Sequence, residues 1–201
     1  MSAKNIILAT VLGGIAFFLW GAISHMLLPF SNSALLKFQD QDAITQAIIA
    51  NAPSSGVYFL PNMTERTSGM TQEEFDAANK RAEDQMMNGP FMLASVRLGP
   101  MGSYPLYFAF QLITDMLAAL FIGIVLARVQ IPYWNRVLLS LCVGLAGFVA
   151  FSLPQWNWYA FSNAFTFAEL VDAVAGFFLA GLVIARFVPG KEETPKPSGQ
   201  A

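Results

Sequence analysis

The chain has 201 residues, of which 55% are hydrophobic and 12% charged, with mean hydropathy +0.51 and a formal net charge of −2 at pH 7. That balance points to an integral membrane protein and leaves no basic surface for nucleic acid. A single cysteine, Cys142, and a single histidine, His25, exclude an internal disulfide, a structural zinc site and a bis-histidine haem.

Residues 5–30 form the first apolar run, behind Lys4. Ala22-Ile23-Ser24 resembles a signal-peptide cleavage site, but the run continues through Met26-Leu27-Leu28 and outlasts an ordinary h-region. It therefore reads as a membrane span, which takes about 20 apolar residues. Gly14, Gly21 and His25 share a helical face, which turns His25 toward other helices.

Residues 31–104 are polar and too long for a simple connection, so they read as a small domain. Helical spacing at Ile44, Ala47 and Ile48 predicts a helix over 42–51. Residues 57–60 predict a strand between Gly56 and Pro61. Thr71 and Glu74 fit a capping box. The helix behind it turns Phe75, Ala78, Ala82 and Met86 to a core, and Asn88-Gly89-Pro90 stops it. Residues 91–98 predict a second strand, expected to return parallel to the first by a right-handed crossover. Two strands and two helices make a thin core, which should lean on the membrane face or on a partner.

Three further spans are expected at 106–127, 133–153 and 165–188, followed by a disordered tail. Lys4, Arg128, Arg136, Arg186, Lys191 and Lys196 then fall on one side, while the loop 154–164 on the other has no Lys or Arg. By the positive-inside rule both termini are cytoplasmic and the polar domain is outside, as in a bacterial inner membrane. The fold class expected is an all-α integral membrane bundle of four transmembrane helices, with a small α/β extracytoplasmic domain between helices 1 and 2. Its parts are 1–30, 31–104, 105–188 and a cytoplasmic tail at 189–201.

The polar residues inside the spans carry the functional signal. Glu169, Asp172, Gly176 and Ala180 share one face of the last span, so the acids lie on a stripe of small residues that lets helices approach. Gln111, Thr114 and Asp115 share a face of the second span. At roughly 1.5 Å per residue, His25, Glu169 and Asp172 lie about 6–10 Å below the outer surface and Asp115 about 14 Å. No Lys or Arg reaches that depth, and an acid in the membrane centre costs on the order of 2.5–3.5 kcal/mol. His25, Gln111, Thr114, Asp115, Glu169 and Asp172 are therefore expected to face one polar pocket that opens outward. Neutral acids that only fix helix register are the plainer alternative.

The outer loop holds Gln155, Trp156, Asn157, Trp158 and Tyr159, which fit either an interfacial aromatic belt or a lid over the pocket. Tyr133 and Trp134 would form the cytoplasmic belt. No zinc-protease motif, nucleophile elbow or Glu-x-x-His pair occurs. No cofactor is expected, although a cation at the acidic pocket fits the charge. The leading expectation is a non-enzymatic accessory, assembly or sensor subunit of a larger membrane complex. The alternatives are a protein that binds or transports a proton, cation or polar lipid through the acid–histidine cluster, and a membrane enzyme on a lipid-like substrate. Expected partners are membrane lipids and a protein partner or second copy, met through helix faces or the outer domain.

Overall fold

The structure, a computed structural model, describes residues 3–188. The tail expected at 189–201 lies outside them. The chain is mostly helical, with elements α1 (Ala3–Met26), α2 (Pro29–Ser33), α3 (Gln41–Asn51), β1 (Gly56–Leu60), α4 (Gln72–Asn88), β2 (Met92–Val96), α5 (Tyr104–Leu126), α6 (Tyr133–Gly147), a π-helical turn (Phe148–Ser152), α7 (Leu153–Tyr159) and α8 (Asn163–Phe187). Two compact units result: one is Leu36–Gly102 with Gln155–Phe161, and the other holds the remaining described residues.

Four helical stretches are long and apolar enough to cross a membrane: Lys4–Met26, Tyr104–Leu126, Tyr133–Tyr159 and Asn163–Phe187. The first ends short of the apolar run because Pro29 disfavours helical backbone just before it, and the chain restarts as α2. The third runs past its expected end at 153. Pro154 lacks the N–H for a regular helical bond and its ring crowds the carbonyl four residues back. The helix widens into the π turn just before it, where the Leu153 N–H reaches the Phe148 carbonyl, and then continues. Residues 154–159 are thus helical, and the expected loop shrinks to the break before Ser162, whose hydroxyl caps α8 by accepting from the Phe165 N–H.

The helices of the larger unit alternate in direction. Along α1 and α8, Gly13 lies against Ile184 and Ser24 against Asp172, so the two run antiparallel. Along α6 and α8, Ser140 donates to the Phe177 carbonyl at 2.9 Å while Arg136 donates to that of Ala185 at 2.8 Å, again antiparallel. The core is built from Ala9, Ala119, Ile122, Leu126, Val137, Ala180, Ile184, Ala185 and Val188, and its alanines let the backbones approach closely. Arg136 is buried and also donates to the Val188 carbonyl, so it closes the C-terminal end of α8. Tyr133 likewise donates to the Leu182 carbonyl at 2.8 Å.

In the smaller unit β1 and β2 pair antiparallel, with Gly56 opposite Val96 and Leu60 opposite Met92. The parallel return is therefore wrong. A parallel pair needs both faces covered, whereas Val57 and Leu60 are exposed here, and the antiparallel ladder is slightly more stable per residue. Phe59 packs edge-on to Phe91 at 5.0 Å and to Tyr159 at 6.4 Å. The α4 capping box forms as expected, with Thr71 and Glu74 bonding reciprocally. Of the expected helix core only Ala82 is buried, while Phe75, Ala78 and Met86 stay half-buried. No residue of α3 is buried.

Candidate functional site

A cavity of about 480 Å³ lies within the larger unit, in the size range of small-molecule sites. Its walls come from the last turns of α1, the first half of α5, the end of α6 with the π turn, and the first half of α8. Because neighbouring helices run in opposite directions, these segments meet at one end of the unit, away from the apolar core. At Gly144 a side-chain carbon would lie 2.4 Å from the Phe177 ring. Only a residue without Cβ lets α6 sit so near α8.

Asp172 organises the polar side. Ser24 donates to its Oδ1 at 2.5 Å and the Trp20 indole N–H donates to the same oxygen at 3.0 Å. His25 Nε2 lies 3.4 Å from Oδ2. All three partners come from α1, so one carboxylate of α8 is bound along more than a turn of the facing helix. Ser24 is fully buried, whereas the His25 side chain is 61% exposed and stands at the rim. Across the cavity the Gln111 amide donates to Asp115 Oδ1 at 3.0 Å. Glu169 lines the cavity and takes no hydrogen bond or ion pair among the described residues.

Of the residues expected to share a pocket, His25, Gln111, Asp115, Glu169 and Asp172 all line this cavity. Thr114 does not. At 3.6 residues per turn it lies about 80° from the centre of the arc of Phe108, Gln111, Asp115 and Ala118, and its hydroxyl donates back to the Gln111 carbonyl at 2.8 Å. Gln155, Trp156, Asn157, Trp158 and Tyr159 are not on the lining either, and they sit in α7, not in a loop. Gly176 shares the wall with the acids, but Ala180 belongs to the apolar core.

The sequence placed neither Trp20 nor Ser24 in the polar pocket. Their signal was present: they are four residues apart, so they stack on one helical face, one turn apart and next to His25. Aromatic walls from Phe17, Phe18, Phe108, Phe148 and Phe177 were hidden in the sequence among many phenylalanines that the fold leaves exposed, such as Phe110, Phe121 and Phe151.

The cavity presents the carboxylates of Asp115, Glu169 and Asp172 as hydrogen-bond acceptors, and Ser24 and His25 both contact Asp172. Among the described residues, no three of His, Cys, Asp and Glu converge closely enough to hold a metal ion. Comparisons with protein-family models, curated proteins and solved structures returned no match.

Proposed function

We propose that this is a four-span integral membrane protein, with residues 31–104 on the extracytoplasmic side and both termini in the cytoplasm of a bacterial inner membrane. It acts without catalysis, as an accessory, assembly or sensor subunit that reads its surroundings through an outward-facing polar pocket. The carrying observation is Asp172 held by Trp20, Ser24 and His25 on the wall of a cavity. An intramembrane carboxylate with that many dedicated partners is a site before it is packing material. The membrane reading is supported by exposed large apolar side chains on the span surfaces, among them Phe121, Leu138 and Phe151, in excess of what a soluble monomer leaves to water.

Topology is tested by cysteines at Ser55 and Ser198. An impermeant thiol reagent added outside should label the first and not the second, and reversed labelling overturns the orientation. The subunit role is tested by copurification from native membranes in mild detergent. A stoichiometric partner supports it, and a chain that purifies alone overturns it. A second reading, binding or passage of a proton, cation or polar lipid, is favoured by Glu169, whose carboxylate lines the same cavity with no hydrogen-bond or ion-pair partner among the described residues.

A further inference from the structure

We infer that the cavity takes an alkylammonium group, carried by a free solute or by a lipid headgroup, with Glu169 and Asp115 as its counter-charges. The inference rests on the outward-facing pocket proposed above. Asp115, Glu169 and Asp172 line the cavity and no Lys or Arg does, so an anion has no counterpart there. The only basic group, His25, is already engaged with Asp172.

The three acids are not equivalent. A carboxylate offers about four acceptor positions. Asp172 is served by Trp20, Ser24 and His25, Asp115 only by the Gln111 amide, and Glu169 by no described residue. Unused acceptor capacity is therefore concentrated in Glu169, on the same helix as Asp172, and in Asp115 on α5.

The kind of cation follows from the geometry of the walls. Calcium wants about six to eight oxygens in direct contact, and no three candidate ligands converge among the described residues. An alkylammonium spreads its charge over carbon and needs no tight shell. It is held by carboxylates at a few ångströms and by aromatic rings within about 6 Å. Phe17, Phe18, Trp20, Phe108, Phe148 and Phe177 provide that surface, and about 480 Å³ leaves room for a substituted nitrogen with part of its chain.

The test uses the full chain in dodecyl maltoside. Tetramethylammonium chloride stands for a free solute, dodecyltrimethylammonium at low mole fraction for a headgroup with its chain, and potassium chloride at equal ionic strength is the reference. Thermal midpoint and tryptophan fluorescence are the readouts. At least one ammonium probe should raise the midpoint above the potassium reference, and Glu169→Gln should weaken its apparent affinity about tenfold. Asp115→Asn is the second variant and should weaken it in the same direction. Response to tetramethylammonium identifies the free-solute source, and response to the dodecyl probe alone identifies the headgroup source. No ammonium response, no sensitivity to either substitution, or a larger shift with calcium or magnesium overturns the assignment. The pocket itself is checked apart from this with monoolein and Gly147→Leu, a side chain that has open space beside the cavity. If no ammonium probe responds but monoolein protects and Gly147→Leu abolishes that protection, the pocket stands while the ammonium assignment falls. If Gly147→Leu changes the response to no probe, the pocket falls too.

Discussion

Ser24 on α1 and Asp172 on α8 are joined by a hydrogen bond of 2.5 Å, with Ser24 fully buried. The same carboxylate oxygen takes the Trp20 N–H, so loss of Ser24 removes one of two donors on that atom. Ser24→Ala should lower stability by about 1–2 kcal/mol. Asp172→Ala should cost more, because it removes the acceptor shared by Trp20 and Ser24, while Asp172→Asn retains an acceptor and falls between. Thermal unfolding in detergent reads all three. In the Asp172→Ala background, Ser24→Ala should add little, and a fully additive double variant would count against the bond.

Gly144 carries no side chain where Phe177 already fills the space, with ring and Cβ atoms at 2.4–2.8 Å from a built Cβ. Gly144→Ala should therefore destabilise by about 1–3 kcal/mol through overpacking. Shortening the obstacle with Phe177→Ala should recover part of that loss in the double variant. If Gly144→Ala is neutral by thermal unfolding, the α6–α8 contact is looser than described.

Arg136 donates to the carbonyls of Ala185 and Val188 from a buried position. Arg136→Leu leaves both acceptors short and should cost about 2 kcal/mol or more. Arg136→Lys keeps the charge but not the two-pronged donor geometry, so it should rescue only part of that loss. Full rescue by lysine in the same thermal assay would reduce the interaction to charge alone.

At the start of α4, the Thr71 backbone N–H and then its hydroxyl, both donating to Glu74, hold the Glu74 carboxyl below its ordinary value of 4.5. A lowered folded-state pKa gives stability that is present above that ordinary value and lost as pH falls through the folded one. Fraying of the first turn of α4 should therefore set in below pH 4.5, followed by amide hydrogen exchange at Phe75 and its neighbours. Glu74→Gln should remove this acid dependence. An unchanged profile in the variant would assign the acid loss to other groups.

Ala82 is the only residue of α4 that is buried. Ala82→Asp places a charge in a core too small to solvate or pair it, so the smaller unit should open to protease while the spans remain inserted. Cleavage within 36–102 and carbonate-resistant membrane association are the two measurements. Equal protease resistance of wild type and variant would show that this core contributes nothing to the unit.

Some of this architecture was already determined by local chemistry. Four helices long and apolar enough to span a membrane follow from run length and composition, because a bilayer demands about 20 apolar residues of any helix that crosses it. The capping box at Thr71 involves neighbours three residues apart, and the shared face of Glu169, Asp172 and Gly176 follows from helical period alone. The direction of β2 was not determined this way, since strand pairing is a contact between segments separated by a whole helix. Nor was the passage of the third helix through Pro154, which depends on a π turn formed before the proline. Helical period says which side chains share a face of one helix, but not which neighbour that face meets or at what height. Only packing decided that Trp20 and Ser24 converge on Asp172, that Thr114 turns away, and that Arg136 is drawn inside to close α8, because each depends on the rotation and vertical offset of two helices far apart in the chain.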